Sequence, residues 1–167
     1  MDALNALLKI VLALVLLVVL LVTGALVRNA PPMMDTPGPL VRLATYVTTN
    51  SVEVRADAAR PELRNRLYAV APEQLWRAAR AAVERLEWRV LHADADNLAL
   101  QAVATTPLLR FQDDVFIRVR RAEHGLSTLY FRASSRIGRA DLAMNTRHLR
   151  KFRRILEQEL QHMAAAE

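Results

Sequence analysis

The chain has no cysteine. That single absence removes disulfide staples, a thiol nucleophile, thiolate metal ligands and a lipidated N-terminal cysteine, so the fold must be held by packing alone. Lysine is scarce as well. Of the 23 basic residues only Lys9 and Lys151 are not arginine, which puts the positive charge on the side chain suited to forked hydrogen bonds with carboxylates or phosphates. The histidines, His92, His124, His148 and His162, show no metal-ligand spacing, and no metal centre or cofactor is expected. Phosphate loop, dinucleotide glycine pattern, nucleophile elbow, internal repeat and long low-complexity tract are all missing. Ser134 and Ser135 have no base placed beside them by any motif, so a serine nucleophile has no support.

What the sequence does contain begins with an apolar run from Ile10 to Val27, extended by Leu7 and Leu8. At about 20 residues it is roughly 30 Å long as a helix, enough to cross a bilayer. Thr23-Gly24-Ala25 resembles a signal cleavage site, but the run exceeds the roughly 7 to 15 residues of a signal core. The reading favoured is an uncleaved anchor over residues 1–28, N-terminus inside and domain on the outer, periplasmic or extracytoplasmic side. Residues 29–60 read as a Pro-containing spacer, stiff enough to hold a domain some 30 Å from the membrane, followed by a β-prone segment from Leu40 to Arg55. Residues 61–167 read as one globular domain.

Within that domain Leu63 to Val70 reads as a short strand, and Pro72 opens an amphipathic helix carried by Leu75, Ala79, Ala82, Val83 and Leu86. Trp88–His92 and Leu98–Thr105 flank hairpin-turn chemistry at Asp94-Ala95-Asp96-Asn97, with Leu91, Leu98 and Leu100 expected on one face. Val115–Arg121 and Ser127–Ala133 form a second hairpin. Its alternation assigns Val115, Ile117, Val119, Leu129, Phe131 and Ala133 to the core, and Phe116, Arg118, Arg120, Tyr130 and Arg132 to the other side. A long helix follows Asp141 as N-cap, with Leu142, Asn145, Leu149, Phe152, Leu156, Leu160 and Met163 as its stripe and Arg147, Arg150, Lys151 and Arg154 opposite. The sum is an α+β domain, an antiparallel sheet of about four or five strands with two helices on one face.

Charge is concentrated late. Between Arg110 and Arg154 there are twelve basic residues and four acidic ones. The candidate site residues there are Asp113, Asp114, Arg118, Arg132, Arg136, Arg139, Asp141 and Asn145. Asp113 and Asp114 are adjacent, so in extended chain they point to opposite faces and cannot act as a paired acid and base. Asp114 is expected to accept a forked hydrogen bond from Arg136 or Arg132, with Asp113 starting the strand in solvent. Gly138 is expected to supply a positive φ that turns Arg136 and Arg139 toward a common point. Asn145, polar on an apolar stripe, is expected to bridge the helix to a loop backbone.

From about Pro61 to Leu160 the chain resembles the bacterial and plastid family called domain of unknown function 1499. The resemblance rests on Ala104-Thr105-Thr106, on Phe111-Gln112-Asp113-Asp114-Val115 with Arg118, and on the run from Arg132 to Leu142 followed by Asn145 and Arg147. It implies a membrane anchor or export signal and no established activity or cofactor. The chain departs from the family at Thr49-Asn50-Ser51-Val52, where many members carry an Asn-Cys pair, and at Ala143, where glycine is usual. The functional expectation is a membrane-tethered envelope module that binds a partner protein or an anionic small molecule or lipid headgroup, without nucleic acid. A small hydrolase or isomerase using Asp and Arg, and a scaffold subunit of an envelope complex, are the alternatives.

Overall fold

The computed structural model describes residues 2–107 and 110–165. Met1, at the start of the expected anchor, and Leu108, Leu109, Ala166 and Glu167, in the expected domain, lie outside the described residues. Helix α1 (Asp2–Asn29) is long and apolar enough to cross a membrane, and its side chains from Ala3 to Leu21 are all exposed.

After α1 the chain turns back. Asn29 Nδ2 donates to the Leu142 carbonyl at 2.8 Å, and Arg150 donates to the Ala30 carbonyl. The Pro-containing stretch is therefore not an extended spacer, because its carbonyls are gathered into a turn instead. Gly38 N–H bonds the Asp35 carbonyl at 2.9 Å, and the Arg42 guanidinium holds the carbonyls of Asp35 and Thr36. Helix α2 (Pro39–Thr48) follows, with proline in its first turn, where a β-prone segment was expected. The strand there is limited to β1 (Ser51–Glu53).

Leu63 to Val70, expected as a strand, divides into a 3-10 turn at Pro61–Leu63 and the two-residue strand β2 (Leu67–Tyr68). Helix α3 (Pro72–Arg85) matches its periodicity. Strands β3 (Arg89–Asp94), β4 (Ala99–Thr105), β5 (Gln112–Arg121) and β6 (Ser127–Ser135) form an antiparallel meander. Strands β1 and β2 pair with successive parts of the outer edge of β6, which completes a six-stranded sheet. The sheet exceeds the expected four or five strands because the edge is assembled from these two short pieces. Helix α4 (Met144–Ala165) closes the domain.

The alternation read from the second hairpin holds. Val115, Ile117, Val119, Leu129, Phe131 and Ala133 are all buried, facing α3 and α4. Ala78, Ala79 and Ala82 let α3 approach closely, while Phe152 of α4 lies 5.4 Å from Phe131 and stacks on Trp88 at 6.2 Å. Leu91 departs from its expected face. The register shifts between Val90 and His92, a bulge that re-aims the side chain, and Leu91 is 47% exposed. Both long helices cover one side of the sheet, leaving the other side open.

Candidate functional site

The segment from Ser134 to Asn145 splits into a buried half and an exposed half. Burial begins at Asp113. Its side chain points to the helix side, 1% exposed, with Oδ2 2.9 Å from His148 Nε2. The expectation that Asp113 starts the strand in solvent fails because α4 brings a histidine onto it from 35 residues away. Trp88 packs edge-on against the same imidazole, with ring centroids 5.4 Å apart. Ser135 is the cross-strand neighbour of Asp113, and Asn145 Nδ2 donates to Ser135 Oγ at 3.1 Å and to the Asn50 carbonyl at 2.8 Å. Asn145 is thus the bridge from helix to loop that its place on the stripe requires. Its Oδ1 is buried without a hydrogen-bond partner among the described residues.

Asp141 caps α4. One carboxylate oxygen accepts from the Ala143 N–H at 3.0 Å and the other from the Asn145 N–H at 2.9 Å. Burial raises its carboxyl above the ordinary value, although the hydrogen bonds from Asn145 and Ala143 pull the other way. The chain enters the helix through two left-handed residues, Leu142 (φ 49) and Ala143 (φ 67), anchored by Leu142 N–H on the Tyr46 carbonyl and Asp141 N–H on the Thr49 carbonyl. Such a conformation costs a non-glycine residue roughly 1–2 kcal/mol. Ala143 is fully buried, so Ala143→Val combines a branched side chain at positive φ with overpacking, and a loss of about 2 kcal/mol or more is expected. Ala143→Gly should melt close to the parent, and paired thermal melts check both.

The exposed half lies on the open face of the sheet. Asp114 turns there, opposite to Asp113 as adjacent strand residues must, and accepts Arg136 Nε at 3.0 Å and Nη2 at 2.6 Å. Arg136 also donates to Gln112, and the fork raises its pKa further. Gly138 has the positive φ expected of it (φ 89), and its carbonyl accepts Asn50 Nδ2 at 2.7 Å. Arg136 and Arg139 do not converge: Arg136 reaches back to the sheet, while Arg139 is exposed.

Further along the same face, cross-strand pairing sets Phe116 opposite Arg132 and Arg118 opposite Tyr130. Arg118 lies over the Phe116 ring at 5.9 Å, and Phe116 meets Tyr130 edge-on at 6.0 Å. Tyr130 donates its hydroxyl to Glu53 at 2.7 Å; burial and that bond raise the phenol above its ordinary value. Arg118 Nε is buried with no hydrogen-bond partner among the described residues. A depression of about 460 Å³ sits beside this lattice, lined by Leu91, Gln101, Phe116, Arg132 and Ser134 among others.

The candidate residues therefore divide into Asp113, Asp141 and Asn145, which are buried or half-buried and tie α4 to the sheet, and Asp114, Arg118, Arg132 and Arg136 on the open face. His148 and the pair Arg42–Glu62 were not expected in the site. His148 lies three residues after Asn145 and four before Phe152, a spacing that marks it as inward-facing.

No curated protein matches this chain. The family model described as "Protein of unknown function (DUF1499)" matches residues 43–156, from α2 through most of α4 and so across both halves of the site, and by that match the chain belongs to this family.

Proposed function

We propose that the chain is a membrane-tethered binding module of the cell envelope, in which α1 is retained as the anchor and the open sheet face receives a carboxylate-rich partner protein. The observation that carries this reading is the uncovered face itself, where Arg118 and Arg132 alternate with Phe116 and Tyr130 across two paired strands. Arginine held over an aromatic ring is pre-oriented, so less side-chain freedom is lost when a carboxylate arrives. Asp114 and Arg136 then form the rim, their charges set by one another.

A photo-crosslinking residue at Gln101 on this face, in the full chain in native membranes, is expected to give one defined adduct. The same residue at Arg77, exposed on α3, should not. Arg118→Glu with Arg132→Glu should lower the adduct yield by about tenfold or more with an unchanged melting temperature. An adduct indifferent to that charge reversal would refute the open-face reading.

A further inference from the structure

We propose that the domain lies down on the bilayer, with the basic face at the start of α4 against lipid phosphates and the outward apolar face of α2 in the headgroup layer. The inference rests on reading α1 as a retained span.

The end of α1 fixes the height of the domain. The apolar run stops at Val27, and at 1.5 Å per residue Asn29 and Ala30 lie only about 3–5 Å beyond it, inside the headgroup region. Side chains that bond these two residues must lie at that level too. Arg147 donates to Asn29 Oδ1 at 3.3 Å and Arg150 donates to the Ala30 carbonyl. Lys151 and Arg154 continue the same helix face, and Arg28 adds its charge from the last turn of α1. Burial, with the neighbouring charges of Arg147, Arg154 and Arg28, lowers the Lys151 pKa, as expected of cations crowded together without an anion among them. No acidic side chain in the structure pairs with any of these five residues among the described residues. Lipid phosphate is the anion that the adjoining span brings within reach.

Helix α2 adds a separate observation. Its buried face is polar, built on Arg42 and Tyr46, and its outward face is apolar: Leu40 is 81% exposed, Val47 40% and Leu43 38%. That polarity is inverted relative to a helix on a water-facing domain, and it suits an interfacial helix. Leu142 fixes where α2 stands, since its carbonyl accepts from Asn29 and its N–H donates to the Tyr46 carbonyl. One residue thus joins the end of the span to α2.

The absence of cysteine makes single-site labelling clean. The full chain is placed in nanodiscs of phosphatidylcholine, with or without phosphatidylglycerol, and carries an environment-sensitive fluorophore at Leu43→Cys or at Asp96→Cys. Asp96 sits in the β3–β4 turn, roughly 20 Å along the strands from the Ala104 end of β4. Lipids with a nitroxide headgroup are expected to quench the probe at position 43 severalfold more than at 96. Lys151→Glu with Arg154→Glu should reduce that quenching in anionic discs. Equal quenching at the two positions, or energy transfer between two labelled copies with no lipid quenching at 43, overturns the proposal. Quenching indifferent both to lipid charge and to the charge reversal overturns the phosphate contact. Retention of the chain in the discs after a carbonate wash reports on the span separately, so a released chain refutes the tether, whereas a retained but unquenched chain refutes only the surface contact.

Discussion

Replacing Arg42 by alanine is expected to lower the stability of the domain by about 3–5 kcal/mol, the range found when one partner of a buried ion pair is removed. The Arg42 side chain is fully buried, and that of Glu62 is 11% exposed. All five guanidinium hydrogens are used. Nη1 and Nη2 donate to the two Glu62 oxygens at 2.7 and 2.9 Å, Nη1 to the Tyr46 hydroxyl at 2.9 Å, and Nε and Nη2 to the carbonyls of Asp35 and Thr36 at 3.0 and 2.7 Å. Truncation strands a carboxylate, a phenol and two carbonyls together. The turn before α2 and the 3-10 turn at Pro61–Leu63 lose their common anchor. The effect should appear as a fall of more than about 10 °C in melting temperature. Arg42→Met combined with Glu62→Met removes both charges and should recover most of the loss, because the desolvation cost of the pair disappears with its attraction.

The same pair sets a pH dependence. Burial raises the Glu62 carboxyl, but the hydrogen bonds and charge of Arg42 outweigh it and hold the pKa below its ordinary value of 4.5. A carboxyl depressed in the folded state binds its proton more readily when unfolded. Its contribution is therefore complete above pH 4.5 and is lost as pH falls below that toward the folded value. Glu62→Gln should flatten that part of an acid-unfolding profile.

Legibility in the sequence followed the period of the pattern. From Pro72 onward the three- and four-residue spacing of α3 and α4 and the strict alternation of β5 and β6 each had one interpretation, and those elements stand where the pattern places them, except that α4 begins at Met144 and Leu142, expected as the first residue of its stripe, is left-handed and precedes the helix. Helix α2 was illegible because its residues argue for a strand and its polarity is reversed. Val41, Thr45, Val47 and Thr48 are β-branched, and the inward residues are Arg42 and Tyr46. Only Pro39 after Gly38 and the four-residue spacing of Arg42 and Tyr46 marked a helix. In the site, Asp114 with Arg136 followed from local alternation. The Asp113–His148 pair did not, because a contact between a strand and a helix 35 residues later depends on how the helix is rotated when it docks.

Strand alternation sends the two adjacent aspartates to opposite faces and α4 pairs only Asp113, so their substitutions should differ accordingly. Asp113→Ala is expected to cost about 2–4 kcal/mol, since it strands the His148 Nε2 donor beside Trp88 and opens a void under the first turns of α4. Asp114→Ala removes an ion pair whose side chains are 38% and 54% exposed, and it should melt with the parent. Function separates them as well. If the open face receives an acidic partner, Asp114→Ala should alter crosslinking from Gln101 in a domain of full stability. Asp113→Ala should reduce crosslinking only in step with the unfolded fraction, so that adduct yield per folded molecule stays constant. Equal melting temperatures for the two variants would mean that the Asp113–His148 contact does not hold α4 to the sheet. A loss of adduct per folded molecule in Asp113→Ala would move the binding surface from the open face to the helix side.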